Sequence, residues 1–175
     1  MKKRLQLLIL ILFTVQLTIL SCKNLDKENE IIENVSEEID DKANSQFLTD
    51  VADLNLKVLV LTKTAFEYNL NDNTEKIIKE IENHHEADNK KIKAIAKKNL
   101  IIIPDTIYNT NSVINNSEIT KDYEILLELE ELLKNEINQF TKVEKYTQNE
   151  EIKKFAQESI TKINSNIENI NSVLN

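Results

Sequence analysis

The chain is 175 residues long, with no glycine, one proline, one cysteine and a formal net charge of −8. Without glycine it holds neither a phosphate-cradling loop nor a dinucleotide fingerprint, and tight β-hairpin turns lose their preferred residue, so the composition points to an all-α fold. The surplus of acid, with Arg4 as the sole arginine, argues against nucleic acid as a partner, because phosphate recognition leans on cationic forks.

Met1-Lys2-Lys3-Arg4 is a basic head, and Leu5 to Leu20 is an apolar run of 16 residues. Ile19-Leu20-Ser21-Cys22 then resembles a bacterial lipobox. The run is shorter than the about 20 apolar residues of a membrane span, and Gln6, Thr14, Gln16 and Thr18 interrupt it. Residues 1–21 therefore read as a cleaved lipoprotein signal peptide, and Cys22 as the lipidated N-terminus of the mature chain. An uncleaved anchor and ordinary secretion are the competing readings. With the only thiol acylated, no internal disulfide is possible. Lys23, in place of Asp, points to the outer membrane by analogy with lipoprotein sorting, on its periplasmic or surface face. Cleavage leaves 19 lysines against 30 acids, about −11.

Residues 22–44 read as an acidic tether, positions 23–44 holding three lysines and eight acids. Residues 45–175 are enough for one domain with a core, expected to be monomeric. Four helical periods fill them. The first, about Gln46 to Tyr68, has the stripe Phe47, Val51, Leu54, Val58, Leu61 and Ala65, widened by Leu56, Leu59 and Phe66. The second opens where Asp72 and Glu75 have capping-box spacing. It runs to about Asn99 with Ile78, Ile81, His85, Ile92 and Ile95 inside. Pro104 stops any helix in the connection 100–117. The third, about Glu118 to Val143, carries Tyr123, Leu126, Leu127, Leu129, Leu132, Leu133, Ile137 and Phe140. Thr147 and Glu150 have the second capping-box spacing. The fourth repeats Ile152, Ala156, Ile160, Ile163, Ile167, Ile170 and Leu174, the cleanest period in the chain. Asparagine is expected at the left-handed helix ends that glycine usually takes.

A helix of about 25 residues is about 37 Å long. The connection 100–117 reaches roughly 60 Å extended, enough to run the length of the bundle. Two antiparallel hairpins joined by one long crossover between helices two and three make a ferritin-like four-helix bundle; a plain up-and-down bundle is the runner-up. Residues 74–99 carry seven lysines against five acids and residues 118–141 seven acids against two lysines. That is a weak attraction between neighbouring helices.

Chemistry-bearing residues are few. Glu82-Asn83-His84-His85 contains Glu-x-x-His, whose i and i+3 side chains share a helix face and can reach one metal. Di-iron bundles need this motif on two helices, and His84 and His85 are the only histidines. A mononuclear site from Glu82, His84, His85 and Asp88 is the remaining metal reading, and it needs a third ligand from a neighbour. The competing reading makes His85 a hydrogen-bonded packing residue on an Ile78–His85–Ile92 seam, with His84 solvated. In that case His85→Leu should cost little. Glu128, Glu130 and Glu131 read as a solvated acidic face, and Tyr68, Tyr108, Tyr123 and Tyr146 as core or rim residues. No nucleophile elbow exists without glycine, so neither a catalytic residue nor a cofactor is expected.

Three stretches carry a family resemblance: Phe47 to Ala65, His84-His85-Glu86-Ala87-Asp88-Asn89, and Ile92-Lys93-Ala94-Ile95-Ala96 leading to Ile103-Pro104. From Phe47 onward the chain resembles the domain-of-unknown-function family numbered 4142, ferritin-like helical proteins labelled predicted outer-membrane proteins. His85 matches the family's histidine and Pro104 its proline. Val58 stands where members carry a glutamate, and no histidine follows His85, so the resemblance implies the bundle more than any site. The leading expectation is a lipid-anchored, non-enzymatic bacterial envelope module. Its partners would be the bilayer, through its acyl anchor, and an unknown envelope protein. The alternatives are a degenerate metal binder and a bundle that accepts a small apolar ligand.

Overall fold

The computed structural model describes residues 39–103 and 121–174. The expected signal peptide 1–21, Cys22, most of the expected tether, Pro104, Tyr108 and the expected helix start at Glu118 lie outside the described residues. The described residues form four helices, with no strand among them: α1 over 39–65, α2 Asp72–Lys98, α3 Lys121–Tyr146 and α4 Glu150–Leu174. None of them is long and apolar enough to cross a membrane. Helix α1 is already helical at residue 39, well before Gln46, and Asn44 within its early turns is buried. It stops at Ala65 rather than Tyr68.

The apolar stripes become one core. Leu48, Val51, Val58, Ile78, Ile81, Ile125, Leu126, Leu129, Leu133, Ile152, Ala156 and Ile170 are fully enclosed. Phe140 of α3 sits edge-on to both Phe47 of α1 and Phe155 of α4, with ring centroids 5.6 and 5.4 Å apart. Rings in this arrangement attract beyond the area they bury. Tyr123 and Leu127 fall outside the core, each 41% exposed, and Tyr146 is at the rim, 75% exposed.

Both caps are set by asparagine, one residue or two away from the expected capping boxes. Asn71 Oδ1 accepts from the N–H groups of Asn73 and Thr74 at the start of α2. Asn149 Oδ1 accepts from Glu151 and Ile152 at the start of α4, while Thr147 Oγ1 accepts from Asn149 N–H. A short amide side chain immediately before the helix reaches two unpaired N–H groups at once, which neither Asp72 nor Thr147 does from its position.

Topology follows from cross-helix bonds. Asn71 donates to Asp122 Oδ1 and His85 meets Glu136, and both pairs are 51 residues apart in sequence. A constant offset means that α2 and α3 run parallel. Chain leaves α2 at one end of the bundle and re-enters as α3 at the other, the ferritin-like crossover. Helix α4 runs against α2, since His84, Asp88, Lys91 and Lys98 meet Asn166, Ser159, Glu158 and Glu151 in descending order. Helix α1 also runs against α2 and α3, with Phe47 on Phe140, Lys63 beside Glu86 and the Phe66 ring under Lys79.

The end of α2 shows how a glycine-free chain closes a helix. Ile101 N–H donates to Ala96 O at 2.8 Å and Leu100 N–H to Lys97 O at 3.3 Å, the two bonds of a Schellman ending. The left-handed position, at φ 57°, belongs to Leu100, not to an asparagine; Asn99 is the cap before it, at φ −93°. A β-carbon there costs roughly 1 kcal/mol.

Candidate functional site

Each helix carries a polar residue on its buried stripe: Asn55 and Thr62 on α1, Glu82, His85 and Asp88 on α2, Glu136 on α3, Ser159 and Asn166 on α4. Such groups are tolerated inside only when they bond to something. One such bond, with both partners buried, joins α2 to α3. His85 is 3% exposed and Glu136 2%. His85 Nδ1 donates to Ile81 O at 2.8 Å, and Nε2 lies 2.8 Å from Glu136 Oε2. A carbonyl can only accept, so Nδ1 carries a proton, and the second bond needs one more proton between imidazole and carboxyl. Burial alone would lower the His85 pKa. The charge and hydrogen bond of Glu136, helped by the Ile81 carbonyl and the Asp88 charge, outweigh it and raise the pKa above its usual value. With that shared proton in place, the pair clips α2 to α3.

The structure also locates the other three candidate ligands. Glu82 is buried, as its spacing from His85 requires, but its Oε2 accepts from Lys79 Nζ at 2.6 Å. Asp88 accepts from Ser159 Oγ and Lys162 Nζ, both at 3.1 Å and both on α4. His84 is half-buried rather than solvated, and its Nδ1 donates to Asn166 Oδ1 at 3.1 Å. Each therefore turns to its own partner, and the four do not converge on a point. Among the described residues no group of three or more His, Cys, Asp or Glu side chains is placed to hold a metal ion. Asn55 Nδ2 and Asn166 Nδ2 are buried with no hydrogen-bond partner. Turning the Asn166 amide would give its nitrogen to His84 and leave its oxygen unpaired instead.

Glu136, Ser159 and Asn166 were not among the sequence candidates. Their signal was present: Leu129–Leu133–Glu136–Phe140 and Ile152–Phe155–Ser159–Ile163–Asn166–Ile170 keep steps of three or four, so each polar residue stands at a core position. On the acidic face, Glu130 pairs with Lys134 at 2.7 Å, while burial first and the neighbouring Glu131 second push the Glu128 carboxyl up. An open groove on the outer face of α2 is lined by Asp72, Glu75, Lys76, Lys79, Glu80, Asn83 and His84. Five of these seven side chains are charged.

No family model matches the chain, and no curated protein sequence matches it. A crystal structure of a conserved hypothetical protein from Mycobacterium tuberculosis is similar in fold. The TM-score is 0.65 at 10% identity, over 76% of this chain and 91% of that one. Likeness at that identity speaks to the bundle alone.

The clip should make stability depend on pH with a definite sign. A raised pKa means that the folded state holds its proton to higher pH than the unfolded chain does. The clip's contribution is complete below the unfolded value of about 6.5. It then declines as pH rises and is gone above the folded pKa, with a limiting slope of about 1.4 kcal/mol per pH unit. Urea unfolding at intervals from about pH 5.5 to 9 should show this decline in the native protein, and none from this source in a His85→Leu/Glu136→Leu variant.

Proposed function

We propose that this chain is a lipid-anchored bacterial envelope protein whose bundle acts through contacts with another envelope protein, without chemistry of its own. The observation that carries the non-enzymatic part is the engagement of Glu82, His84, His85 and Asp88. All four chemistry-bearing side chains already have partners, and the bonds of three of them cross between helices. Groups used this way fix helix register, and using them as ligands or acids would require breaking the bonds that hold α2 to α3 and α4. The reading includes the resemblance of Phe47 onward to the family numbered 4142 and a place at the outer membrane. The anchoring part rests on the order of basic head, apolar run and Ile19-Leu20-Ser21-Cys22.

Cys22→Ser, expressed in a bacterial host, is expected to accumulate as unprocessed precursor and to incorporate no labelled fatty acid. Normal processing and membrane retention of that variant would remove the anchor from the proposal. Cross-linking the acylated native chain in intact envelopes should then recover a specific protein partner; turnover of a substrate by the isolated bundle would contradict the non-enzymatic reading.

A further inference from the structure

Helix α3 keeps two large apolar side chains out of the core. Ile125, Leu126, Leu129 and Leu133 are enclosed, whereas Tyr123 and Leu127 are each 41% exposed. A separation of four residues sets the two one above the other on the same helix face. Glu124, Glu128 and Glu131 follow at steps of four and three and form a row along one edge of that pair. The row holds more charge than the fold uses. Lys121 pairs with Glu124 at 3.0 Å and Lys134 with Glu130 at 2.7 Å, and these are the only lysines between residues 121 and 141. Glu128 and Glu131 have no ion pair among the described residues. Burial first, and the like charge of Glu131 second, push the Glu128 carboxyl up. Two acids three residues apart on a helix oppose one another, so the strip lowers the stability of the free chain without a return inside the bundle.

The surroundings do not supply the missing cation. At this end of the bundle α2 and α3 start and α1 and α4 stop. Counted over all four helices, residues 63–82, 121–134 and 163–174 hold eleven acids against five lysines. Four of those lysines already face an acid: Lys63 meets Glu86, Lys79 meets Glu82, and the two on α3 are paired as described. Acid on this scale repels nucleic acid and an anionic bilayer and attracts a cationic partner. An apolar pair at one-turn spacing fits the apolar stripe of another helix. A lysine or arginine on that helix can lay its aliphatic stem over Leu127 while its charged head reaches Glu128 or Glu131.

We propose that the outer strip of α3, Tyr123 and Leu127 edged by Glu124, Glu128 and Glu131, is a docking surface for a basic amphipathic helix of a partner protein. This deepens the reading of the bundle as a contact module and rests on it for the partner's being an envelope protein. The partner's cations supply the charge that Glu128 and Glu131 lack, and its apolar stripe covers the two side chains that the core leaves outside.

The probe is a labelled peptide of about 18 residues, or about five turns of helix, built of leucine and lysine with its leucines on one stripe. A second peptide has the same composition with the leucines scattered around the helix. Each is titrated with the purified full chain in non-ionic detergent. The striped peptide should bind at least about tenfold more tightly than the scattered one, and less tightly as salt rises. Leu127→Ser and the pair Glu128→Gln/Glu131→Gln should each weaken its binding about tenfold, with helical circular dichroism unchanged. Glu75→Gln/Glu80→Gln, the same change of net charge on the outer face of α2, should leave binding as it is. No binding, equal affinity for the two peptides, or equal losses from the two glutamine pairs overturns the proposal. So does a chain that dimerises without peptide and loses the dimer on Leu127→Ser, since the strip would then join two copies. Urea unfolding adds a readout that needs no ligand: Glu128→Gln should raise the midpoint of the free chain, and a lowered midpoint would place Glu128 in service of the fold and overturn the proposal. In intact envelopes, a photo-reactive side chain at position 127 should capture the partner, and one at position 90, exposed on α2, should not. Capture from 90 and not from 127 overturns the strip and leaves the contact reading standing. A strip that passes the peptide tests in a chain whose cross-linking recovers no protein supports the surface, while the contact reading fails.

Discussion

His85→Leu should destabilise the protein by about 3–5 kcal/mol, a large share of the about 5–15 kcal/mol that holds a domain folded. Taken as a lone histidine on an apolar seam, the residue should be replaceable by leucine at little cost. The structure reverses that expectation, because the substitution leaves the Glu136 carboxylate 2% exposed and without the cation it faces. An uncompensated buried charge either stays ionised at high cost or takes up a proton, and both oppose folding. Glu136→Leu should cost somewhat less, since the orphaned imidazole can shed its proton and keep its bond to Ile81 O. The double variant His85→Leu/Glu136→Leu removes both charges and should regain most of the loss, in line with buried ion pairs being replaceable by packed apolar residues. Urea unfolding of the four proteins, read by circular dichroism, closes the cycle. Additive losses would mean that the two side chains are not coupled, which would contradict the 2.8 Å contact.

Phe140→Ala should also cost about 3–5 kcal/mol. The ring is 2% exposed and is the shared member of two edge-to-face pairs, at interplanar angles of 71° and 80°. Truncation therefore opens a cavity where α1, α3 and α4 meet, and Phe47 and Phe155 each lose an aromatic neighbour. Phe140→Leu keeps most of the volume and should cost less, about 1–2 kcal/mol. The coupling between Phe47→Leu and Phe140→Leu in a double-mutant cycle should be about 0.5–1.5 kcal/mol. A Phe140→Ala protein with an unchanged urea midpoint would show that this three-ring contact does not hold the helices together.

Much of the fold was legible in the residues. The steps of three and four along Ile152–Ile170 and Ile78–Ile95 report where each helix turns its apolar side, because side-chain direction in a helix depends only on local geometry. Of the residues so identified, Val51, Ile81, Leu133 and Ile163 are buried, Ile160 and Ile167 partly so, and Tyr123 and Leu127 are exposed. The length of the connection 100–117 made the crossover possible, and the absence of glycine left no other fold class in strong contention. Helix ends were less legible. Asn71 and Asn149 cap in place of the expected Asp72 and Thr147, and Leu100 takes a conformation that composition assigned to asparagine. Several short polar residues stand in a row at each boundary, and which one caps depends on where the helix is stopped by its packing.

Partnership was decided only by the tertiary structure. Sequence placed Glu82, His84, His85 and Asp88 within two turns of one helix, and spacing alone lets them gather around an ion. The folded chain sends them to four different partners, three of them on α3 and α4. The parallel offset of 51 residues between α2 and α3 sets His85 beside Glu136. That offset comes from how α2 and α3 each pack against α4, a property of the assembled bundle that no period within either helix contains.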